Sequence, residues 1–409
     1  MKILMLAPKC FPVNGAEAIV NIKLLSAMTQ DGGFEVDLIT RKNAKVMYPS
    51  ESLDAYGVRL NALYMIENEG GFSLKVLWQS LKALLIFKSV LPGCHWAVRA
   101  LPIVKKLIKE NDYDFVLTKN SPSFMLGAYL KKKGFRWVAS WNDPFPASFY
   151  PSPYGQGNKH KPSLLDALMI RQMKKADYHV FPTLRLQQHM AAYLPFPENR
   201  ARVIPHVVLT DVAPTWRGCA ISETLRIVHS GNLGEARDPR TFFMAIENVM
   251  AKHKEVNLEI TILGNIDKAD IPTKENYPHL VEHFNLIPPV EYSKALDLLK
   301  DYSVACIIEA PCKAGEAVFL PTKVTDFMQV GIPVLTISPK EGVLHDLYKR
   351  GCIGYFGDVH DVADIQQTLM MLWRDFKNGT IKQNVIDNSF KPQAVADSYR
   401  DILKDLSRC

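Results

Sequence analysis

Short apolar runs alternate with longer stretches of helical periodicity along the whole chain. In the amino-terminal half, Lys2–Ala7, Glu35–Thr40, Val58–Tyr64, Phe115–Thr118, Trp137–Ser140, His179–Pro182 and Arg202–Pro205 predict strands. These runs are apolar throughout rather than alternating, as expected for parallel strands covered on both faces by crossover helices. After a stretch at 207–222, which contains Pro214 and Gly218 and follows neither period, the rhythm restarts. Leu225–His229, Leu258–Leu263, Val281–Leu286, Val304–Ile308, Pro333–Ile337 and Ile353–Phe356 predict a second series, separated by helix-like segments such as Pro239–Lys252 and Tyr292–Lys300. The duplication predicts an α/β protein of two Rossmann-like, doubly wound domains, 1–210 and 220–389. Ligands of open parallel sheets bind outside the carboxyl ends of the strands, so the chemistry is expected in a cleft that the two domains face.

Composition narrows the partners. The 409 residues are 47% apolar and 22% charged, which excludes disordered and collagen-like classes and is enough for two cores. A formal charge of +7 suits an anionic ligand or an acidic membrane surface, but no dense basic tract marks a nucleic-acid binder. The seven cysteines are odd in number and form no C-x-x-C pair, so reduced thiols in a cytoplasmic protein are expected. Met1–Ala7 reads as a first strand rather than a signal peptide, and no apolar run approaches the roughly 18 residues that cross a bilayer.

Two segments of the second half carry candidate chemistry. Leu225–Ser230 runs into Gly231, Asn232, Leu233 and Gly234, then Arg237, Asp238 and Pro239. This is a buried strand, a glycine turn and a helix start, where backbone N–H groups and an arginine fork can hold phosphate. Asp238 is the expected N-cap and Pro239 the expected first helical residue. In the second segment, Pro321 and Thr322 open a helix with Lys323 in its first turn and Asp326 one turn on. A cation at a helix N-terminus is locally unfavourable unless an anion is shared between it and the free N–H groups. Asp326 lies on the same face and can accept from sugar hydroxyls.

Taken together these residues resemble the GT-B glycosyltransferases of the family 4 type. Pro12–Glu17, including Gly15, resembles the family's amino-terminal glycine loop. Gly231 with Arg237, and Pro321-x-Lys323-x-x-Asp326 followed by Gly331-Ile332-Pro333, resemble the segments that hold the donor diphosphate and ribose. The acidic residue at the ribose position is Asp326 where Glu is usual. The partner acid eight residues earlier falls on Val318, with Glu316 as a nearby substitute. The resemblance implies a nucleotide-sugar donor bound by Gly15, Gly231, Asn232, Glu316, Pro321, Thr322 and Asp326. It also implies retaining hexosyl transfer, in cell-surface polysaccharide synthesis, to a glycan or lipid-linked acceptor. Neither a further cofactor nor a metal is implied, and the carboxy-terminal helix, Pro392–Leu406, is expected to pack back on the first domain. Arg237 and Lys323 are the catalytic candidates because fixed cations stabilise a departing diphosphate. Asp143, in Trp141–Pro146 beyond a strand end, either orients an acceptor hydroxyl or makes an Asp-Pro turn. A nucleotide-sugar epimerase and an inactive sugar-nucleotide-binding relative are the alternatives.

Three weaker signals remain. Asp112-Tyr113-Asp114 precedes a strand and reads as turn-capping acids rather than a metal site. His229 reads as a strand-end core residue, and His206 as a linker residue in reach of the donor. Residues 72–91 are strongly apolar, with Trp78 and several lysines, and two readings are open: a helix packed in the fold, or peripheral contact with the inner face of a membrane.

Overall fold

The computed structural model describes residues 1–13, 15–30, 33–42, 53–67, 74–157, 161–209, 216, 223–234 and 236–407. It divides into two compact units. The first comprises Met1–Tyr150, Gly155–Leu209 and Asn388–Cys409, the second Pro151–Tyr154 and Thr210–Asp387. The irregular stretch at 207–222 lies largely outside the described residues.

The strands of the first unit are β1 (Lys2–Leu6), β2 (Glu35–Lys42), β3 (Ala62–Glu67), β4 (Phe115–Lys119), β5 (Trp137–Ser140), β6 (Tyr178–Phe181) and β7 (Ala201–Val203). They form a parallel sheet in the order β3-β2-β1-β4-β5-β6-β7. The second unit holds β8 (Leu225–Ser230), β9 (Leu258–Leu263), β10 (Phe284–Ile287), β11 (Val304–Ile308), β12 (Val334–Ser338) and β13 (Tyr355–Asp358). These too are parallel, in the order β10-β9-β8-β11-β12-β13. In each sheet the chain reverses its direction of travel beside the first strand, between β1 and β4 and between β8 and β11, which makes a topological switch point there.

Most predicted strands occupy their places, and Trp137–Ser140, Leu258–Leu263 and Val304–Ile308 match end to end. Two shift. The run Val58–Tyr64 begins as a coil in which Val58 is buried, and pairing with β2 starts only at Ala62. Val281–His283 is a short 3-10 turn, so β10 starts at Phe284. An apolar residue buried beside a sheet looks the same in sequence as one inside it.

Helix ends follow side-chain chemistry in several places. Ser163 and Asp166 form a reciprocal capping box, Thr183 accepts from the Leu186 N–H at 3.0 Å, and Asp361 caps Val362–Lys377. Asp238 does not serve as the N-cap. The helix starts at Arg240 with Pro239 at the cap, and Asp238 accepts the Arg240 N–H at 2.9 Å from one position earlier while pairing with the Arg240 guanidinium.

The carboxy-terminal helix Pro392–Ser407 buries Val395, Ala396, Tyr399 and Ile402 in the core of the first unit, beside residues of helix Ala16–Gln30. Full burial of each large apolar side chain contributes about 1.5–3 kcal/mol. The half-exposed ion pairs of Arg202 with Asp401 and Asp405 contribute less than about 1 kcal/mol each.

Helix Leu74–Phe87 turns Ala83 and Phe87 inward and leaves its apolar stripe in solvent: Leu77 is 63% exposed, Trp78 57% and Leu85 61%, with Leu81 and Leu84 beside them. Lys82 lies over the Trp78 ring.

Gly127, in helix Ser123–Lys131, tests the packing of the first unit. A Cβ there would stand 2.2 Å from Nε1 of Trp137, a fully buried ring tied to Thr118 at 2.8 Å. Gly127→Ala is therefore expected to destabilise by about 1–3 kcal/mol through overpacking, although helix propensity alone favours alanine by up to about 1 kcal/mol. The denaturation midpoint reads the sign directly, and an unchanged or raised midpoint would refute the clash.

Candidate functional site

The second unit assembles its polar groups at the switch point. Gly231 follows β8 with φ at 119°, and a Cβ there would lie 2.6 Å from both Cε and Nζ of Lys323. Only glycine leaves room for the lysine to lie on this turn. Gly264, after β9, comes equally close, since its Cβ would meet the Gly231 carbonyl at 2.4 Å. Asn232 braces the same turn by accepting from the N–H and Nδ2 of Asn265. Reciprocal backbone bonds between Gly234 and Arg237, both 3.0 Å, close the loop and fix where the arginine starts.

Arg237 meets Glu309, the first residue past β11, with Nε 3.4 Å from Oε1. Its guanidinium also lies over the Tyr154 ring, 5.6 Å from the centroid, while the Tyr154 hydroxyl donates to the same Glu309 oxygen at 2.5 Å. Burial works against the Arg237 charge, but the Glu309 carboxylate and Tyr154 outweigh it and hold its pKa above the ordinary value. Burial and the nearby carboxylate likewise push the Tyr154 phenol up, so it remains a donor.

Lys323 is in the first turn of helix Thr322–Val330, whose cap residue Pro321 offers no side-chain acceptor. Its Nζ stands 3.1 Å from Nε2 of His229. Burial, and then the positive field of Arg237, lower the Lys323 pKa from 10.5 to about 7. Burial next to the same two cations keeps His229 well below its ordinary pKa, so the neutral ring accepts from the ammonium. His229 is thus a core residue that also props Lys323. Arg237 and Lys323 are close enough to repel, and Glu309 is the anion that partly offsets them.

Asp326 is buried one turn along the helix and accepts from the Tyr292 hydroxyl at 2.6 Å. Glu316 is partly exposed on the loop after β11, where its field and that of Glu309 act on Cys312. The carboxylate that meets Arg237 is Glu309, and Val318 is buried.

The remaining predicted residues belong to the first unit. Gly15 (φ 81°) is exposed at the start of helix Ala16–Gln30, its carbonyl accepting the Ala18 and Ile19 N–H groups. Asp143 lines a cavity of about 470 Å³ beyond the strand ends, together with Lys9, Glu17, Arg41, Asn120 and aromatic residues. His206 is buried beside Lys119, Ser140 and Asn142 at a much smaller cavity in the same unit. Asp114 accepts the Lys2 N–H, and Tyr113 donates to Asp37, so this acidic string braces β1 and β2.

Residues 14–212 match the Glycosyltransferase Family 4 model. That segment, a little under half of the chain, is similar to the family 4 glycosyltransferases. Solved structures extend the likeness in fold to the whole chain. The lipopolysaccharide outer core galactosyltransferase WaaB in its apo form shares 12% identity at a TM-score of 0.61, covering 99% of this chain and 100% of that one. A glycosyltransferase from Rickettsia africae ESF-5 aligns at 12% identity and a TM-score of 0.62, with 100% and 98% covered. A UDP-N-acetylglucosamine 2-epimerase aligns at 13% and 0.56, with 100% and 97% covered. No curated protein matches in sequence. The architecture is the two-domain, Rossmann-like GT-B fold.

The sequence patterns do not single out Glu309, Tyr154 or Arg41. Glu309 had a usable signal, an acid placed directly at the carboxyl end of a fully apolar strand. Tyr154 had none, because its bond to Glu309 spans 155 residues of chain.

The lowered pKa of Lys323 has a stability consequence. Below pH 7 the folded and unfolded chains both hold the proton, and the folded state bears the full cost of the crowded charge. That cost is relieved as pH rises from about 7 towards the ordinary 10.5. Lys323→Met is therefore expected to be more stable than the parent at and below pH 7, with the advantage shrinking as pH rises to 10. Chemical denaturation across this range checks it, and a constant offset would place the lysine's charge in solvent.

Proposed function

We propose that the protein transfers a sugar, with retention of anomeric configuration, from a nucleotide-diphosphate donor to a glycan or lipid-linked acceptor. In this reading the second unit grips the donor and the first unit binds the acceptor. The observation that carries it is the meeting of Arg237 and Lys323 at the switch point of the second sheet, with Gly231 shaped to admit the lysine. As the glycosidic C–O bond breaks, negative charge grows on the leaving diphosphate, and two preformed cations stabilise it without reorganising. The first N–H groups of helix Thr322–Val330 add to the same field. Asp326 takes a ribose hydroxyl beside its bond from Tyr292. The acceptor hydroxyl attacks on the face the diphosphate leaves and passes its proton to that group, so no protein nucleophile is required. No metal is needed for charge that two side chains balance.

The exposed stripe of helix Leu74–Phe87 supports peripheral docking on the inner face of a membrane, and with it a role in cell-surface polysaccharide synthesis. No acidic residue occurs from Leu74 to Lys109. Burial, and then the charges of Lys175 and Lys88, lower the Lys132 pKa, so lysines gather near the end of this helix. Apolar side chains beside clustered lysines suit an anionic bilayer surface.

Lys323→Ala should abolish stabilisation by nucleotide sugars, which at about 100 times the dissociation constant amounts to about 2.7 kcal/mol in the parent. Arg237→Ala should lower turnover on the order of a hundredfold. Product analysis separates the chemistries: free nucleoside diphosphate that rises only with acceptor marks a transferase, whereas an altered but intact donor marks an epimerase. Donor affinity undiminished in both variants would remove the site from this unit.

Trp78→Glu with Leu85→Glu should abolish co-sedimentation with phosphatidylglycerol vesicles without altering the melting temperature. Equal sedimentation of variant and parent would dismiss the membrane contact.

A further inference from the structure

The cavity of the first unit contains a cation without a counterion among the described residues. Arg41, at the end of β2, lines it, and its guanidinium rests against Gly93, where a Cβ would lie 3.0 Å from Nη2. Its Nε is buried with no hydrogen-bond partner. Among the described residues no carboxylate lies within ion-pair distance of it. Burial lowers the pKa of this guanidinium, and the more distant Glu17 only partly restores it. An arginine in this state is an open site for a planar oxyanion, because its fork matches carboxylate and phosphate oxygens two at a time.

The cavity's carboxylates are placed to leave that role open. Glu17 is held by Lys9 at 3.1 Å and by Asn120 at 3.2 Å. Asp166 is engaged in its capping box with Ser163. Asp143 lies beyond the end of β5, with Phe124, Phe145 and Tyr150 also in the wall. Aromatic faces and a carboxylate suit a sugar ring and its hydroxyls, and about 470 Å³ is the size of a small-ligand pocket.

We propose that this cavity binds an anionic acceptor, a sugar or lipid bearing a phosphate that Arg41 takes in a bidentate grip, with Asp143 towards a sugar hydroxyl. The proposal rests on the transferase reading and names the acceptor class for it. Phosphate is favoured over carboxylate because its oxygens can meet Arg41 while its ester link carries either a sugar or a lipid chain. Leu91, Pro92 and Gly93 of the cavity wall follow shortly after helix Leu74–Phe87, which brings a lipid-borne phosphate within the same part of the unit.

The test is calorimetric titration of the full chain with glucose 6-phosphate, glucose, or decyl phosphate below its micelle concentration. Parent, Arg41→Gln, Arg41→Lys and Lys323→Ala are compared. At least one phosphorylated probe should bind parent and Lys323→Ala alike, weaken tenfold or more in Arg41→Gln, and recover in part in Arg41→Lys. Glucose should bind more weakly than glucose 6-phosphate. Binding of decyl phosphate alone assigns a lipid-borne phosphate, and of glucose 6-phosphate alone a soluble sugar phosphate. Absence of binding by both phosphates, binding unchanged in Arg41→Gln at an unchanged melting temperature, or binding lost in Lys323→Ala overturns the proposal. In none of those cases does the donor reading fail, since it stands on nucleotide-sugar binding by the second unit. Conversely, Arg41-dependent phosphate binding with full donor stabilisation of Lys323→Ala would sink the donor reading and leave this site standing.

Discussion

Two like charges are held within each other's field at the end of a parallel sheet, and the second unit is arranged around that constraint. Arg237 keeps its proton because Glu309 and Tyr154 outweigh its burial. For Lys323 the fields of Glu309 and Asp326 do not outweigh burial and the charge of Arg237; it leans on a neutral histidine, and its pKa falls to about 7. The nearby carboxylates therefore leave the buried lysine under-compensated. In the proposed reaction a diphosphate would bring further negative charge, raise the lysine's proton affinity and turn a repulsive pair into a clamp. Full pairing to protein carboxylates would have made the apo state more comfortable and left less field for a leaving group. Glu309 holds the arginine in place, and together with Asp326 it only partly restores the lysine's proton affinity.

The same geometric rule places polar groups in both units. Strands buried on two faces are mostly apolar along their length, so charged groups tend to collect where the strands end. In the second sheet Gly231 and Glu309 leave β8 and β11 on either side of the switch point. In the first sheet Lys9 and Asn120 come just after β1 and β4 in the corresponding places, with Arg41 at the end of β2 and Asp143 past β5. Two sheets of one design thus carry different chemistry, decided by the few residues after each strand.

That division explains what could be read from the chain beforehand. The strand series, the duplication and the lysine at a helix start are local patterns, and periodicity exposes them. Glu309 was half-legible, an acid at a strand end without a visible partner. Tyr154 and Arg41 were illegible, because their importance comes from contacts or missing contacts with distant segments. Helix Leu74–Phe87 shows the limit from the other side. Its apolar stripe is plain in the sequence, but periodicity cannot say whether the stripe faces a core or solvent. Only the burial of Ala83 and Phe87 opposite the exposed Trp78 and Leu85 decides that.

The departures at Asp326 and Val318 can be weighed in the same terms. Asp326 has a shorter reach than glutamate, but the helix start brings it into a buried setting where Tyr292 already donates to it. A carboxylate has about four acceptor positions, so the tyrosine fixes its orientation without exhausting it. Orientation replaces length as the means of presenting an oxygen to a hydroxyl. At Val318 a buried apolar residue stands two positions after Glu316, and the carboxylate against Arg237 comes from the strand end at Glu309.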